Sequence, residues 1–498
     1  MLTHEEKHAN ILRKYAAECT LLLKKDGKFP LNAPCRVALY GSGARGTKKG
    51  GTGSGNVYSR NYATAETGLE KAGFVITTKS WMDTYEQDRV QHHAAFIAGI
   101  KKDAEARGVS PFVAGFGKIE PEYDYDFPTD HDGDACVYVL ARTSGEGNDR
   151  QVKSGDVLLT ASEIRDILSL NERFKRFMLV LNVGGVVDLT PILGVKNILY
   201  LSQLGAVTGD VLADILLGKA FPSGKLTTTW AAPQDYQTIG DFGEKNDTRY
   251  REGIYVGYRF FDSAKKEPLF PFGFGLSYTD FSIQITESVS DHVSVTVRNT
   301  GRYPGSEVVQ LYISAPDGRI AKAYQTLTAF GKTHELMPGE SETLTLYFDL
   351  REAASYCEEC ASYVLEKGTY LVRVGNSSRN TAVAAKLCLE ETVQVRHVKN
   401  LLGKADFEDV VFPRSEESDA SNVPSFTIHA ADIQMVRCSY EIDRSIEPAV
   451  RELPDDQLAH LCLGAHLDGS AGFVVGSSAL HVAGAAGETT NRLPDRLG

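Results

Sequence analysis

The spacing of the apolar residues changes once along the chain, near Phe281, and this change separates two fold classes. Before this point, short apolar runs of strand length alternate with segments that have helical spacing. Ala135–Ala141 and Phe177–Val183 are two of these runs, and both are almost continuously apolar. Such runs are typical of parallel strands that are covered on both faces. The first part is therefore predicted to be a mostly parallel sheet with helices on both faces.

Local signals place the helices and the other strands of this first part. Thr3-x-x-Glu6 and Thr160-x-x-Glu163 both match the capping box, in which two side chains satisfy backbone N–H groups where a helix begins. We predict helices over residues 4–24, 63–71, 83–107 and 209–217 and one opened by Thr160, with further strands over 36–40, 74–78 and 197–202.

Beyond Phe281, apolar and polar residues alternate. Val293, Val295 and Val297 show this pattern, and three later segments repeat it with turn signals such as Pro316-Asp317-Gly318 between them. The pattern predicts an antiparallel β-sandwich of about 110 residues. The polar, proline-containing residues that follow, 396–425, are expected to form a linker.

Length and charge limit the kinds of function that the chain can have. A chain of 498 residues is too long for a single hydrophobic core. Its 53 basic and 65 acidic residues give a net charge of −12, which argues against nucleic acid or an anionic membrane as a partner. No apolar run approaches the roughly 20 residues that span a bilayer. Residues 1–15 lack the apolar core of a signal peptide, so a cytoplasmic location is expected.

The cysteines do not suggest a disulfide framework. There are eight of them, and most lie in apolar surroundings that are typical of small core residues. Cys357 and Cys360 form a single CxxC motif, and no second pair stands at the spacing of a zinc site. We therefore expect neither a metal nor a cofactor.

A polar loop with one carboxylate follows the first apolar run directly. Within Ser144–Gly147, Glu146 has a glycine on each side, which lets the backbone turn tightly and present the carboxylate. Ligands bind to loops at the carboxyl ends of strands in open α/β sheets. Glu146 is thus predicted to be a proton donor for bond cleavage, with a solvated acidic turn as the alternative. Asp149 and Arg150 are expected to order the loop through a local ion pair, with ordinary loop packing as the alternative.

A second loop, residues 41–57, is rich in glycine and follows the strand predicted over 36–40. Its first six residues, GSGARG, formally match the GxGxxG fingerprint of dinucleotide-binding proteins. Two features argue against a nucleotide site. Glycines continue to Gly55 where a helix should open, and the next strand ends in Lys79 and Ser80 rather than in an acid that would bind a ribose.

We prefer to interpret the glycine-rich loop as one wall of a polar pocket. Its free backbone amides, together with Arg45, Lys48 and Lys49, are suited to binding hydroxyl groups or anions. Arg45 and Lys49, with Asp149 and Arg150 of the other loop, are our candidates for substrate binding.

Several long stretches resemble glycoside hydrolase family 3, the β-glucosidase and β-xylosidase family. The matching stretches are AECTLLLKKDGKFPL (17–31), GGTGSGNV (50–57), SGEGNDR (144–150), FPSGKL (221–226), YVGYRFFD (255–262) and LFPFGFGLSY (269–278). Residues 293–375 resemble the fibronectin type III-like domain of the same family. The resemblance implies the family's C-terminal-type α/β sandwich domain over 1–280 and a fibronectin type III-like domain over 281–395.

The resemblance also implies an inverted order of domains, because most family members begin with their barrel. LPDDQLAHLCLG (453–464) and GAAGETT (484–490) look like the opening segment of the family's TIM-type barrel. This implies a linker over 396–440 and an incomplete barrel domain over 441–498. The barrel segments that hold the sugar and carry the nucleophilic aspartate would come after Gly498, and no aspartate here stands in that motif context.

The activity implied by the resemblance is that of a retaining β-glycosidase, which uses two carboxylates. By residue match, Glu146 is the acid/base and the nucleophile is absent, so the isolated chain is expected to be inactive. The implied partners are a carbohydrate substrate and a barrel from a second chain or a missing half; a homo-oligomer stays open. GAVTG (205–209) departs from the family's glutamine-glutamate-glycine pattern, although a helix is still expected there. The alternative is a non-catalytic carbohydrate-binding or scaffold protein.

Overall fold

The structure is a computed structural model that describes residues 3–52, 57–145, 149–236, 244, 248–401, 405–413, 422–438, 446–455 and 458. The chain divides into two compact units. The larger contains residues 1–93 and 117–437, and the smaller contains 94–116 and 438–498. Within the described ranges, every helix is too short or too polar to cross a bilayer.

The first part of the larger unit is built on a six-stranded sheet. Its strands are β1 (Leu21–Lys24), β2 (Arg36–Tyr40), β3 (Val75–Ile76), β4 (Ala135–Arg142), β5 (Phe177–Val183) and β6 (Ile198–Tyr200). The spatial order is β1-β6-β5-β4-β2-β3, and only β1 is antiparallel to its neighbour. Every residue of β4 and β5 is buried, which explains their continuous apolar runs. The predicted mostly parallel sheet is confirmed.

The helices of this part and of the smaller unit accompany the strands in sequence. They are α1 (Thr3–Glu18), α2 (Ala65–Lys71), α3 (Lys79–Arg107), α4 (Pro111–Gly115), α5 (Ala161–Arg173), α6 (Thr208–Leu216) and α7 (Tyr258–Ser263). The capping box predicted at Thr160 is confirmed, because the Thr160 hydroxyl accepts from Glu163 N while the Glu163 carboxylate accepts from Thr160 N. The side chain of Thr3 lies outside the described residues.

The first helix is shorter than predicted. We expected a helix over residues 4–24, but α1 ends at Glu18 and Leu21–Lys24 forms β1. The three leucines of β1 are almost completely buried, and Leu21 pairs with Tyr200 of β6. Burial in the sheet therefore outweighs the helical spacing of this segment, because helix propensity is a weak preference.

The strand order has one consequence for function. After β2 the chain adds β3 on one side and then returns to add β4 on the other side of β2. The loops that follow β2 and β4 therefore leave neighbouring strands in opposite directions. In open α/β sheets, this arrangement opens a crevice beyond the carboxyl ends of the two strands, where ligands bind.

The second part of the larger unit is a β-sandwich. Its strands are β7 (Phe281–Ser288), β8 (His292–Asn299), β9 (Val308–Ser314), β10 (Thr326–Lys332), β11 (Ser341–Tyr347), β12 (Ser355–Cys357), β13 (Ser362–Leu365), β14 (Gly368–Ser377), β15 (Asn380–Leu389), β16 (Val393–His397), β17 (Ser425–Ile428) and β18 (Val436–Arg437). The sheets β11-β8-β7 and β10-β9-β14-β15-β17 share one apolar core. The alternating pattern beyond Phe281 thus predicted the sandwich correctly.

The segment predicted as a linker, 396–440, differs in part from that expectation. β17 runs parallel to β15, and β18 runs parallel to β16. A strand that returns along the chain can pair with an exposed sheet edge even when its own sequence is polar. This part of the chain therefore extends two sheets of the sandwich.

The two parts of the larger unit are joined by buried polar contacts. Lys225 Nζ lies 2.5 Å from Glu307 Oε1, and both side chains are nearly inaccessible. Asp262 of α7 pairs with Arg379 at 2.8 Å and accepts a hydrogen bond from Gln325. These contacts link the last segment of the α/β domain to the sandwich.

In the smaller unit, the described residues are mostly helical. They include the last part of α3, all of α4 and a short helix α8 (Pro448–Arg451). Gly115 of α4 packs against the Ile100 side chain of α3. Most of the predicted barrel opening, 441–498, lies outside the described residues, so it stays a prediction.

Candidate active site

The candidate site lies at the carboxyl ends of β2 and β4, where the direction of the strand order changes. The glycine-rich loop follows β2. The loop that contains Glu146, which we call the acid loop, follows β4. Glu146, with the two residues after it, lies outside the described residues. The structure does describe Ser144 and Gly145 before it and Asp149 after it, together with the side chains that support them.

The glycine-rich loop packs directly on β4. Gly41 has φ +90°, and a Cβ atom there would lie 2.5 Å from Val139 O. Gly43 N donates to Val139 O at 2.9 Å, and Ala141 N donates to Ser42 Oγ at 3.2 Å. The first glycines therefore serve close backbone packing. No helix begins within the GSGARG motif, and α2 begins only at residue 65. The motif therefore lacks the helix N-terminus that would bind a phosphate, which argues against the nucleotide alternative.

The two loops are also linked just before Glu146. Thr52 N donates to Ser144 O at 3.0 Å, and Thr143 Oγ1 donates to Gly50 O at 3.3 Å. A Cβ atom at Gly145 would lie 2.4 Å from Gly117 O, so the backbone passes here only because residue 145 is glycine. The position at which the chain enters the acid loop is thus set by backbone contacts.

Arg150 supports the other end of the acid loop. Its Nε lies 2.8 Å from Asp156 Oδ1, its Nη2 donates to Asp156 O at 2.8 Å and its Nη1 donates to Val186 O at 2.7 Å. The expected ion pair between Arg150 and Asp149 is therefore wrong. Asp149 is exposed, whereas the buried Asp156 also accepts from Gln151 N and so closes the turn. A charge-assisted pair excluded from water is stronger than one between exposed neighbours.

The contacts of Arg150 favour a positioning role. Its guanidinium joins the segment after β4 to the segment after β5 at Val186. Its direct binding to substrate stays a prediction, as does that of the exposed Asp149.

A buried ion pair lies at the base of the acid loop. Arg142, the last residue of β4, contacts Glu163 of α5 through two hydrogen bonds, of 2.9 and 2.6 Å. The side chains are only 5% and 1% exposed. Burial alone would lower the pKa of Arg142, but the charge and hydrogen bonds of Glu163, together with the charge of Glu122, outweigh burial and raise that pKa. Arg142 Nε also donates to Asp156 O at 3.0 Å, so β4, α5 and the acid loop are joined through one guanidinium.

A second carboxyl group, the half-buried Glu122, lies in the same region. Its Oε1 accepts a hydrogen bond from the Tyr85 hydroxyl at 2.6 Å, and its backbone N donates to Gly155 O at 2.8 Å. Burial, followed by the charge of Glu163, raises the pKa of Glu122. Sequence reasoning missed both Arg142 and Glu122. The acidic and aromatic residues of 119–127 were the only local signal for Glu122.

The raised pKa of Glu122 predicts how stability depends on pH. Its carboxyl group titrates at a higher pH in the folded protein than in the unfolded chain. The resulting contribution of Glu122 to the free energy of unfolding is fully present below the usual glutamate pKa, about 4.3. It is lost as pH rises through the pKa that Glu122 has in the folded protein. We expect Glu122→Gln to remove this loss, so that the variant gains stability relative to wild type with rising pH. Urea unfolding followed by tryptophan fluorescence between about pH 4 and pH 8 measures this.

Tryptophan fluorescence suits this measurement because both tryptophans, Trp81 and Trp230, are buried in the α/β domain. Glu172→Gln, at an exposed position of α5, is the matched control and should leave the pH profile unchanged. Parallel pH profiles for wild type and Glu122→Gln would contradict the prediction.

The two candidates on the glycine-rich loop have different surroundings. Arg45 contacts Glu66 of α2 at 2.8 Å and Asp83 of α3 at 2.6 Å; the hydrogen bond with Glu66 is the main cause that raises the pKa of Arg45. Lys49 donates to Val57 O, and its amine lies 5.6 Å from the Tyr62 ring centroid. Arg45 therefore secures the loop to two helices, and substrate binding by either residue stays a prediction.

The neighbouring Lys48 joins the loop to the end of β5. Its backbone N donates to Asn182 Oδ1 at 2.5 Å, and Asn182 Nδ2 donates to Lys48 O at 2.9 Å and to Ser202 O at 2.7 Å. Burial lowers the pKa of the Lys48 amine. Asn182 therefore connects β5 to the segments that follow β2 and β6.

The helix expected in spite of the GAVTG departure is present as α6. A Cβ atom at Gly209 would lie 1.8 Å from Thr64 O, and one at Gly68 would lie 2.2 Å from Gly209 C. The retained glycine of this segment therefore allows α2 and α6 to pack closely.

Comparison with known proteins gives consistent results. The profile described as "Glycosyl hydrolase family 3 C-terminal domain" matches residues 20–278, and the "Fibronectin type III-like domain" matches 307–378. Beta-glucosidase A of Butyrivibrio fibrisolvens is 34% identical over 459 residues, covering 80% of this chain and 53% of its own length. A beta-glucosidase of Ruminococcus albus is 30% identical, with 78% of this chain and 41% of its own length covered.

Solved structures agree with this result. Beta-glucosidase 3B of Thermotoga neapolitana superposes with a TM-score of 0.66 at 34% identity, over 78% of this chain and 54% of that protein. The chain thus spans about half the length of relatives that it matches. The family profile covers more than half of the chain, and the α/β and sandwich domains occur in the expected order. The chain therefore belongs to glycoside hydrolase family 3.

Proposed function

We propose that this chain supplies the acid/base part of a retaining β-glycosidase that hydrolyses β-linked glucosides or short oligosaccharides. Glu146 is the proton donor, and the nucleophilic carboxylate comes from barrel residues outside these 498. The observation that carries the proposal is the position of Ser144 and Gly145, the first half of the SGEG motif, at the β2/β4 crevice, with Arg150 fixed on the other side of Glu146 in the chain.

The chemistry of retention suits such a loop. In the first step, the acid protonates the departing glycosidic oxygen while the nucleophile attacks the anomeric carbon. In the second step, the same residue, now a carboxylate, takes a proton from the water that releases the sugar. The two carboxyl groups must lie about 5–5.5 Å apart, so the acid has to project from its own domain toward the other one. A carboxylate between two glycines on a loop with fixed ends is suited to that projection.

The framework around the loop supports the same proposal. Arg150 ties the segment after Glu146 to Asp156 and Val186, and Thr52 ties the segment before it to the glycine-rich loop. Pre-organised support of this kind keeps a catalytic group close to its productive geometry. The names of the relatives, which are beta-glucosidases, support a β-glucoside as the first substrate to test.

The test is an assay of the purified 498-residue protein on 4-nitrophenyl β-glucoside, with and without a barrel domain from a family member. We expect no turnover by the chain alone and turnover with retained anomeric configuration once the barrel is joined to it. Proton NMR of the first-formed glucose reads the configuration.

Three outcomes would oppose the proposal. Turnover by the chain alone would place the nucleophile within these 498 residues. Inversion of configuration would contradict the retaining mechanism. Binding of glucosides without turnover, even with the barrel present, would favour the non-catalytic scaffold alternative.

A further inference from the structure

A pair of cysteines meets in a hairpin of the β-sandwich, far along the chain from the candidate active site. Cys357 is the last residue of β12 and lies opposite Ser362, the first residue of β13. Cys360 lies in the turn between the two strands, which Ala361 completes with φ +46°. The register of the hairpin therefore brings the two cysteines to the same tip.

The two cysteines contact each other within the turn. The Cys360 thiol donates to Cys357 O at 3.9 Å. Both are free thiols and both side chains are partly exposed. A disulfide requires its two cysteines to be within about 7 Å at Cα and correctly directed. Two thiols at the tip of one hairpin therefore need only a small movement to close.

The two thiols are not equivalent. The neighbouring Cys360 thiol, followed by the backbone N–H groups of Cys360 and Glu359, lowers the pKa of Cys357. The same contact raises the pKa of Cys360. Since the thiolate is the reactive form of cysteine, Cys357 is suited to attack and Cys360 to follow.

The surroundings leave room for a small reagent. Cys357 lies on a cleft of about 650 Å³ that is also lined by Tyr356, Tyr363 and Arg319. Arg319 pairs with Glu359 at 2.7 Å and so offsets part of the negative charge beside the thiols. Across the described part of the chain, no group of three or more His, Cys, Asp or Glu side chains is arranged for a metal ion. The pair is therefore suited to thiol chemistry.

We propose that Cys357 and Cys360 form a thiol–disulfide exchange site that reacts with small-molecule disulfides of the glutathione type. The Cys357 thiolate attacks one sulfur of the disulfide, forms a mixed disulfide and releases the first thiolate. Cys360 then gives up its proton and attacks Cys357 Sγ, which releases the second thiolate and closes the Cys357–Cys360 bond. In total, two protein thiols are oxidised, and one small disulfide is reduced to two thiols.

The test begins with the unaltered protein and oxidised glutathione. After timed incubation, free thiols are alkylated and the peptides are mapped by mass spectrometry. We expect a Cys357–Cys360 disulfide, detected by the loss of two hydrogen atoms from one peptide. Cys19 is the matched control because it is exposed and has no thiol partner among the described residues. Cys357 should react faster than Cys19 near neutral pH. Each unit by which the pKa of the attacking thiol is lower should increase the rate of exchange about threefold, because the gain in thiolate exceeds the loss of nucleophilicity.

Two variants separate the roles of the thiols. Cys360→Ser removes the second step, so the glutathione adduct should accumulate on Cys357. Cys357→Ser removes the first step, so Cys360 should stay unmodified over the same time. Adducts on Cys19 and Cys357 at equal rates in the unaltered protein, without an internal disulfide, would overturn the proposal. An adduct on Cys360 rather than Cys357 in the single variants would also overturn it, and the measurement on the unaltered protein does not depend on whether the variants fold.

Discussion

Replacing Glu146 with alanine, in the chain joined to a family 3 barrel, is expected to lower kcat by about 10²–10⁴ on alkyl β-glucosides. These substrates have leaving groups of high pKa, so cleavage depends fully on the proton that Glu146 donates. Dinitrophenyl β-glucoside has a leaving group that departs without a proton. Its first step should be almost unchanged, and only the second, water-dependent step should become slow.

The same variant gives a second readout. Azide attacks the glycosyl-enzyme without help from a general base, so it should restore turnover of the dinitrophenyl substrate and produce the β-glycosyl azide. A merely structural role for Glu146 would lower the rate for both classes of substrate and would not respond to azide. Dependence on the leaving group and rescue by azide thus separate acid/base catalysis from loop stability.

Two carboxylates serve as controls for Glu146. Asp149→Asn changes the exposed acid three positions further on in the same loop, and Glu172→Gln changes an exposed acid on α5. Glu172→Gln should retain wild-type kcat, and Asp149→Asn should not show rescue by azide. Wild-type rates in Glu146→Ala would show that Glu146 is not the acid/base. The same conclusion would follow if Asp149→Asn, rather than Glu146→Ala, lost activity on alkyl glucosides but kept the first step on the dinitrophenyl substrate.

The largest expected loss of stability comes from Glu163→Gln. The substitution keeps a side chain that can cap α5 but leaves Arg142 buried without its carboxylate. Breaking one side of a buried ion pair costs about 3–5 kcal/mol, because the remaining charge stays out of water. Urea unfolding followed by the fluorescence of the two tryptophans measures the loss in the α/β domain, where both of them lie.

Two further variants show whether the loss of stability comes from the ion pair of Glu163 with Arg142 or from its role in the helix cap. Thr160→Ala removes the capping hydroxyl alone and should cost about 0.5–2 kcal/mol. Arg142→Met combined with Glu163→Leu removes both charges, so much of the loss should be recovered. An equal loss in Glu163→Gln and Thr160→Ala would mean that Glu163 acts only as a helix cap, which would contradict the prediction.

The sequence predicted the architecture well where the signal lay within one segment. The runs Ala135–Ala141 and Phe177–Val183 are continuous because both of their faces are covered, and the structure confirms them as β4 and β5. Alternation beyond Phe281 predicted the sandwich because one face of each such strand is in the core. The capping box at Thr160 was correct for the same local reason.

Predictions failed where the partner of a residue or segment is not its neighbour in the chain. Leu21–Lys24 has helical spacing, yet it is a strand because it pairs with β6, almost 180 residues later. The Asp149–Arg150 ion pair was expected from adjacency, but the fold brings Arg150 to the buried Asp156 and to Val186.

The motif around Glu146 and the position of its loop after a buried strand can therefore be recognised without coordinates, since both depend on residues that are neighbours in the chain. The side-chain contacts that support that loop cannot be recognised from the sequence. Arg142 meets Glu163 across 21 positions, Tyr85 meets Glu122 across 37 and Asn182 meets Lys48 across 134. Each of these pairs exists because the path of the chain through a six-stranded sheet brings distant segments together, and the burial that makes the pairs strong exists only once the sheet has formed.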